Sequence, residues 1–593
     1  MKVTRAEIAT DGTIRAWVQF TDPAGRGLDR LGVQTPGAIT VSFLIAYLPA
    51  DGPQFVSYIT RQRVSGANTA TQATGENNGT WQAQTADGEY LYTFASKAPA
   101  NVDRNATHRV AIYGSRTLTD FNLGTSRADG WLDFVPSGAP LTKVRDVVRT
   151  SSCNKCHDQL ALHGGNRRSV QVCVVCHTPQ TTDPASGNTV DLKVMVHKIH
   201  RGASLPSVVA KGKYFIGNAD YSDVVNPAPG QDCAVCHEPQ KTSGAAQADN
   251  WMTAPSRAAC GSCHDNVNFT TGQGHPAGPF NSDTQCSQCH TPAAVNDFDA
   301  SVPGAHMVPQ RSHLLEGLVA NIESVESVAP GKKPIVTFTL ENNAGTPVAA
   351  ADLTTLRLYM AGPTTDIPGY TREDAKTAKD AGGGRYMYTF TVALPDSTKG
   401  TWQFGIEAYR NLTLMAGTTK QRTVRESAPA KVMAVTADGK AVQARRAIVA
   451  TEKCMACHTQ FGFHGGARNN IQLCSFCHNP TLVAGTPNES YNFTNLIHRI
   501  HNEEVRYPGN VTTCTQCHLN NTQLLPLREG LMNVTNPAAP MTPAPPATNA
   551  CLSCHNETPA WSHAAVNTSR LGESCSVCHG PNSDFAVAKV HAQ

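Results

Sequence analysis

This chain of 593 residues has few aromatic residues, 6%, and few charged ones, 16%, and no apolar run approaches the ~20 residues that span a bilayer as a helix. The missing aromatics argue against an ordinary large side-chain core, and the missing apolar run excludes a membrane-spanning helix. Lys and Arg total 49 against 46 Asp and Glu, a formal charge of +3, and no basic run is long enough to suggest a nucleic-acid partner. With 40% hydrophobic residues the chain is too apolar for wholesale disorder, and its 47 Gly and 37 Pro make it too loop-rich for a helical bundle or coiled coil. Present in excess are 20 cysteines and 22 histidines.

Every cysteine belongs to a C-x-x-C-H motif. The motifs are Cys153/Cys156/His157, Cys173/Cys176/His177, Cys233/Cys236/His237, Cys260/Cys263/His264 and Cys286/Cys289/His290 in the first half. In the second half they are Cys454/Cys457/His458, Cys474/Cys477/His478, Cys514/Cys517/His518, Cys551/Cys554/His555 and Cys575/Cys578/His579, with no thiol left over. C-x-x-C-H is the attachment signature of c-type haem: two thiols on one turn add to the porphyrin vinyls and the adjacent imidazole becomes the proximal iron ligand. Zinc chemistry pairs C-x-x-C with a second half-site and makes no demand for His at the very next position. A disulfide framework would not hold to this one spacing.

Twelve histidines lie outside the motifs, and an internal repeat sorts them. "CHDQLALHGG" (156–165) matches "CHTQFGFHGG" (457–466) and equates His163 with His464. "VMVHKIHRGASLP" (194–206) matches "NLIHRIHNEEVRYP" (495–508), equating His197 with His498 and His200 with His501. "MTAPSRAACGSCH" (252–264) matches "MTPAPPATNACLSCH" (541–555), and the following His275 and His563 correspond. "DFDASVPGAH" (297–306) matches "DFAVAKVH" (584–591), pairing His306 with His591; His313 competes with His306 as the fifth distal ligand of the first half. These ten repeated histidines are the candidate distal iron ligands. His108, in the strand-like "THRVAIYGSR", is a core histidine on this reading. The two H-x-x-H pairs are expected on one helical face, since residues i and i+3 are neighbours.

The motif-bearing blocks carry about one haem per 30 residues, too little chain for an ordinary core, so the porphyrins are expected to supply the buried apolar mass and to couple attachment to folding. The other two regions hold short β-branched and aromatic runs between Gly/Pro/Asn/Asp clusters, such as "TIRAWVQFTD" and "AITVSFLIAYL" in the first and "PIVTFTLENN" and "TWQFGIEAYR" in the second. These indicate antiparallel all-β domains. The expected organisation is a duplication: a β domain over 1–147, a pentahaem domain over 148–311, a β domain over 312–448 and a pentahaem domain over 449–593. Each bis-His ferric haem adds about −1, so the loaded chain would carry about −7 oxidised and about −17 reduced, the scattered Lys and Arg balancing propionates.

The layout, with "CHDQLALHGG", "VHKIH" and "CHTPQTTD", resembles the MtrC/OmcA family of outer-surface decahaem cytochromes along essentially the whole chain. The resemblance implies a multidomain fold of two all-β split-barrel (Greek-key) domains alternating with two largely irregular, partly helical pentahaem domains. It implies ten covalent haem c groups in a staggered cross, and a calcium ion is the further cofactor expectation. The implied activity is extracellular electron transfer, from an outer-membrane porin–cytochrome conduit or another redox cytochrome to Fe(III) and Mn(IV) minerals, metal chelates, flavins or humics. The implied location is the extracellular face of the bacterial outer membrane. Two departures matter. No cysteine remains for a Cys-x8-Cys pair in a β domain, so a disulfide switch is not expected. The start, "MKVTRAEIAT", has no apolar signal region or lipidated cysteine. The alternatives are a multihaem enzyme with a five-coordinate, substrate-binding haem of the nitrite or hydroxylamine type, and a polymeric haem wire sharing ligands between protomers. Unaltered motifs and sufficient histidines stand against both.

Overall fold

Alternating apolar and polar side chains build the first strands. In the segment Thr13–Gln19, Ile14, Ala16 and Val18 are buried while their neighbours are not, the period of a sheet with one covered face. The computed structural model describes all residues except 85, 122, 486–487, 540, 570–571 and 592–593. It comprises two units, one of Met1–Asn226, Gly230–Val295 and Asp299–His306, the other of Pro227–Pro229, Asn296–Phe298 and Met307–Gln593.

In the first unit the strands are β1 (Lys2–Ile8), β2 (Thr13–Gln19), β3 (Ile39–Leu48), β4 (Val56–Ser57), β5 (Thr60–Ser65), β6 (Asn68–Ala73), β7 (Thr80–Ala83), β8 (Glu89–Lys97), β9 (Thr107–Thr117) and β10 (Thr125–Phe134). They form antiparallel sheets of order β1-β2-β8-β7 and β10-β9-β3-β4, with β5-β6 as a separate hairpin. Val3, Ile14, Val18, Phe43, Tyr92, Phe94 and Ile112 fill the core, with the rings of Phe43 and Tyr92 stacked at 4.0 Å. Strand β3 is apolar on both faces because both are covered. Phe43 and Ile45 enter that core, whereas Leu44, Ala46 and Leu48 pack against Val172, Val174 and Val175 of the helix Val170–Cys176. Burying each of the Leu and Val side chains at this contact stabilises the docking by roughly 1.5–3 kcal/mol.

The rest of the unit is loops and short helices, with one small hairpin of β11 (Phe215–Ile216) and β12 (Ala219–Asp220). Its longest helix is Leu192–Arg201, 10 residues, capped by Asp191 accepting from the Lys193 amide.

The second unit repeats the plan. Its strands are β13 (Val319–Glu326), β14 (Ile335–Glu341), β15 (Thr355–Ala361), β16 (Tyr370–Asp374), β17 (Lys379–Gly382), β18 (Arg385–Thr389), β19 (Thr401–Leu414), β20 (Arg422–Ser427) and β21 (Lys431–Thr436). The sheets run β13-β14-β18-β17 and β16-β15-β19-β20, with β21 also on β19. Leu356, Leu358 and Met360 of β15 face a core with Val336, Phe338 and Phe404. Tyr359 and Ala361 face outward to Leu473 and Phe476 of the helix Ile471–Cys477. Gly405 of β19 leaves room for this contact: a Cβ at this position would lie 2.7 Å from Leu473 Cδ1, which would have to shift. Antiparallel β regions thus alternate with irregular, partly helical ones, as expected. No helix among the described residues is long and apolar enough to cross a membrane.

Candidate haem sites

Each motif is one helical turn. The amide of the motif histidine donates to the carbonyl of the first cysteine, for example His177 to Cys173, His264 to Cys260 and His478 to Cys474, each at 2.9 Å. Cysteines three residues apart then share a face, and the imidazole follows at the end of the turn. None of the cysteines is in a disulfide. The second motif of each unit lies on the helix docked against a sheet, so its thiols are held by the β region directly.

The sequence treats all twenty anchors alike, and the structure does not. The second cysteines of the first and fifth motifs, Cys156, Cys289, Cys457 and Cys578, span the range of settings. Cys156 lies within the helix Thr150–His157 and Cys578 within Cys575–His579. Cys457 instead falls beyond the end of the helix Thr451–Met455, its amide on the Cys454 carbonyl at 3.2 Å, and Cys289 follows the 3-10 turn Cys286–Gln288, its amide on the Cys286 carbonyl at 3.4 Å. Nor do these thiols sit inside a core: Cys156 and Cys457 are half-buried, and Cys289 and Cys578 are exposed. A thiol left open in this way can reach a vinyl group at the edge of a porphyrin, which a side chain closed over it would prevent.

The chain brings every motif imidazole opposite one of the repeated histidines. In the first unit the pairs are His157–His200, ring centroids 6.0 Å apart, His177–His163 at 5.8 Å, His237–His197 at 6.1 Å, His264–His306 at 6.2 Å and His290–His275 at 6.4 Å. In the second they are His458–His501 at 6.3 Å, His478–His464 at 6.2 Å, His518–His498 at 6.0 Å, His555–His591 at 6.1 Å and His579–His563 at 6.1 Å. Two imidazoles on opposite sides of one metal, each nitrogen about 2 Å from it and each ring centre about 1 Å further back, are about 6 Å apart. Thiols, proximal imidazole and opposed imidazole together are the donor set of a bis-histidine c-type haem. The match in both units is also pair for pair: the histidine after the first motif lies opposite that of the second, and the H-x-x-H histidines lie opposite those of the third and first. The loop histidine lies opposite that of the fifth and the terminal one opposite that of the fourth.

Backbone carbonyls orient the rings. His177 and His478 donate through Nδ1 to the carbonyls of Val190 and Tyr491 at 2.9 Å, and His290 and His579 to those of Ala300 and Phe585 at 2.9 Å. His200, His501, His306 and His591 donate to the carbonyl four residues earlier, at 2.8–3.0 Å. A committed Nδ1–H leaves the Nε2 lone pair available and fixes the ring plane. His163 and His464 reach their positions from backbone with φ of 52°, followed by glycines with φ between 72° and 88°. That left-handed run explains the repeated H-G-G, since two successive side-chain-bearing residues would be strained there. Burial pushes the imidazoles of His197, His237 and His498 down to about 4, which keeps them neutral.

The two remaining histidines stand apart. His108 is fully buried in β9, donating through Nδ1 to the Ala106 carbonyl at 2.9 Å, with Tyr58 hydroxyl on Nε2. His313 is exposed and bonds Asp297 at 3.0 Å, and it is His306 that faces a motif imidazole. Arg167 lies over the Tyr113 ring at 3.9 Å, and Arg168 donates to the Gly165 carbonyl at 3.0 Å. Among the described residues no group of three or more His, Cys, Asp or Glu side chains is placed for a metal ion, so the expected calcium ion finds no carboxylate cluster. Sequence reasoning did not single out Ser262 and Ser553, whose hydroxyls receive Nδ1 of His197 and His498 at 3.2 and 2.8 Å. Their signal was present in the shared serine of "CGSCH" and "CLSCH".

A family model described as "Outer membrane cytochrome MtrC/MtrF-like, domains II/IV" matches residues 145–303 and 446–592, just over half of the chain. The multiheme cytochrome MtrC of Shewanella baltica (strain OS185) is 25% identical over 573 residues, covering 85% of this chain and 81% of that protein. The crystal structure of MtrC from Shewanella baltica OS185 superposes with a TM-score of 0.69 at 22% identity, covering 98% of this chain and 97% of the other. The crystal structure of the outer membrane decaheme cytochrome OmcA gives 0.72 at 21% identity, covering 100% and 98%. With covalent c-type haem motifs in blocks beside antiparallel β regions, and the family model matched in both blocks, the chain belongs to the MtrC/MtrF-like family of outer membrane multihaem cytochromes.

Proposed function

We propose that this protein carries ten covalent haem c groups, five attached within 148–311 and five within 449–593. The β domains are 1–147 and 312–448, and the protein passes electrons at the extracellular face of the outer membrane. The observation that carries the reading is the set of ten facing imidazole pairs, each joining a motif histidine to a distal one. Bound haem supplies one-electron exchange between ferric and ferrous iron.

The chain's own residues do the rest. The cysteine pairs tether, so the cofactor is not lost outside the cell. The two imidazoles of each site would hold the iron between them and leave no place for a substrate, and two nitrogen ligands, rather than His and Met, would lower the potential. Carbonyls on Nδ1 hold the rings through a change of oxidation state. With one site per about 30 residues, neighbouring sites are close enough to exchange electrons without any catalytic side chain. Electrons would arrive from an outer-membrane conduit or another redox cytochrome and leave to metal oxides, chelates, flavins or humics. Against a nitrite- or hydroxylamine-converting enzyme stands the lack of any motif histidine without a facing partner. The same pairs lie within one chain, which speaks against a wire sharing ligands between protomers. The dithionite-reduced protein should be reoxidised rapidly by soluble ferric chelates and by flavins, followed at the haem Soret band. Sluggish reoxidation by every such acceptor would sink the proposal.

A further inference from the structure

One pair in each unit is held differently from the others. In every other pair at least one imidazole donates to a backbone carbonyl; the third-motif pairs have none among the described residues. His197 donates to Ser262 Oγ at 3.2 Å, and the Nδ1 of its partner His237 is buried without an acceptor. His498 donates to Ser553 Oγ at 2.8 Å, and its partner His518 reaches only Thr522 Oγ1 at 3.4 Å. Each serine hydroxyl donates its own proton to a carbonyl of the same turn, Ala259 or Ala550, so its oxygen is left as acceptor for the imidazole. Ser262 is 0% and Ser553 6% exposed. Both sit between the two cysteines of the fourth motif, so the residue that supports the third-motif ligand belongs to the neighbouring haem's attachment turn.

A hydrogen-bond acceptor on Nδ1 raises the basicity of an imidazole ligand and stabilises ferric iron. A peptide carbonyl is the stronger acceptor of those present; a hydroxyl at 3.2 Å, or none, is the weakest.

We infer that Ser262 and Ser553 are positioning residues that hold the distal imidazoles of the third-motif sites and set those two sites as the highest-potential haems of their units. The inference rests on the bis-histidine reading above. Reduction takes one electron per site, supplied in a titration by dithionite through mediators, with no proton assigned to the step. The chain would therefore store its first electrons there, next to the fourth-motif site.

The test is a potentiometric titration of the haem-loaded full chain, followed by optical absorbance and by the low-spin ferric EPR signal. Ser262→Ala and Ser553→Ala, made separately, should each move one-tenth of the amplitude, at the high-potential end, further up by about tenfold in the reduction equilibrium, about 59 mV for a one-electron couple. Ser262→Thr and Ser553→Thr keep the hydroxyl and should restore the wild-type curve, which a packing role alone would not do at a fully buried site. Curves that superpose on wild type, or a shift at the low-potential end, overturn the inference while leaving the ligand pairs standing. A high-spin ferric signal in the wild-type protein overturns the bis-histidine reading and this inference with it.

Discussion

The two units hold their second-motif helix by opposite charges. In the first, the sheet contributes the cation: Arg109, 3% exposed, grips Asp133 through two bonds of 2.6 and 2.7 Å and donates to the Gln171 carbonyl of the helix at 3.0 Å. In the second, the sheet contributes the anion. Glu407, 2% exposed, accepts from Arg468 at 3.2 Å just before the helix, and from Tyr359, with Arg357 at 3.5 Å. The caps differ too. Asp129 of β10 reaches across to the amides of Arg168 and Ser169 at 2.7 and 2.8 Å, whereas Asn470 caps its own helix through Gln472 at 2.8 Å. The H-x-x-H histidines lie on one α-helix in the first unit, but in the second His498 is on the helix Phe493–Arg499 and His501 in the π-helical turn Ile500–Glu504. Yet both units present the same five imidazole pairs. Imidazole position is held by bonds made at the ring, such as Nδ1 of His200 and His501 to the carbonyl four residues back, and these survive a change in the frame.

Breaking the shared part should have the largest effect. His306→Ala and His591→Ala, equivalent positions, should each convert one of ten haems from low to high spin in the ferric EPR spectrum, leaving nine. His313→Ala should leave the spectrum unchanged. A high-spin signal from His313→Ala, with none from His306→Ala, would reverse the assignment of the first unit. Breaking what differs should divide the units. Asp133→Ala leaves Arg109 buried without its carboxylate and should cost about 3–5 kcal/mol in denaturant unfolding of the first unit. Glu407→Ala should cost less, because Arg357 and Arg468 reach solvent; equal losses would show that the reversal of charge is energetically silent. Asp129→Ala removes a carboxylate accepting two amides, about 1.5–3 kcal/mol. Smallest of all, Asn470→Ala removes a local cap and should lower the unfolding midpoint of the second unit by an amount equivalent to about 1 kcal/mol.

Much of this is legible in the residues alone. A C-x-x-C-H motif is local: its chemistry lies in residues one turn apart, so the anchors and proximal imidazoles can be named from spacing. The repeat then separates His163, His197, His200, His275 and His306 from His108 and His313, because duplication preserves ligands and lets other histidines drift. The β regions are legible in their alternation, and the doubly apolar run of β3 in "AITVSFLIAYL" betrays a strand with two covered faces. The partner of each distal histidine is not legible. His197 and His200 share a helical face, yet one pairs with His237 and the other with His157, because two separate stretches of chain, at 233–237 and at 150–157, come to the same helix.

By itself, then, the sequence determined the chemistry of attachment, the number of anchors, the duplication and the short list of opposing ligands, all of which reside in covalent spacing or in composition. Only the tertiary structure decided which imidazole opposes which, which ring rests on a carbonyl and which on a serine, and that the sheets clamp the second-motif helices by a cation in one unit and an anion in the other. Those are contacts between residues tens of positions apart. Their selection follows from the path of the backbone and the space it must leave for a flat apolar group, and no local pattern encodes either.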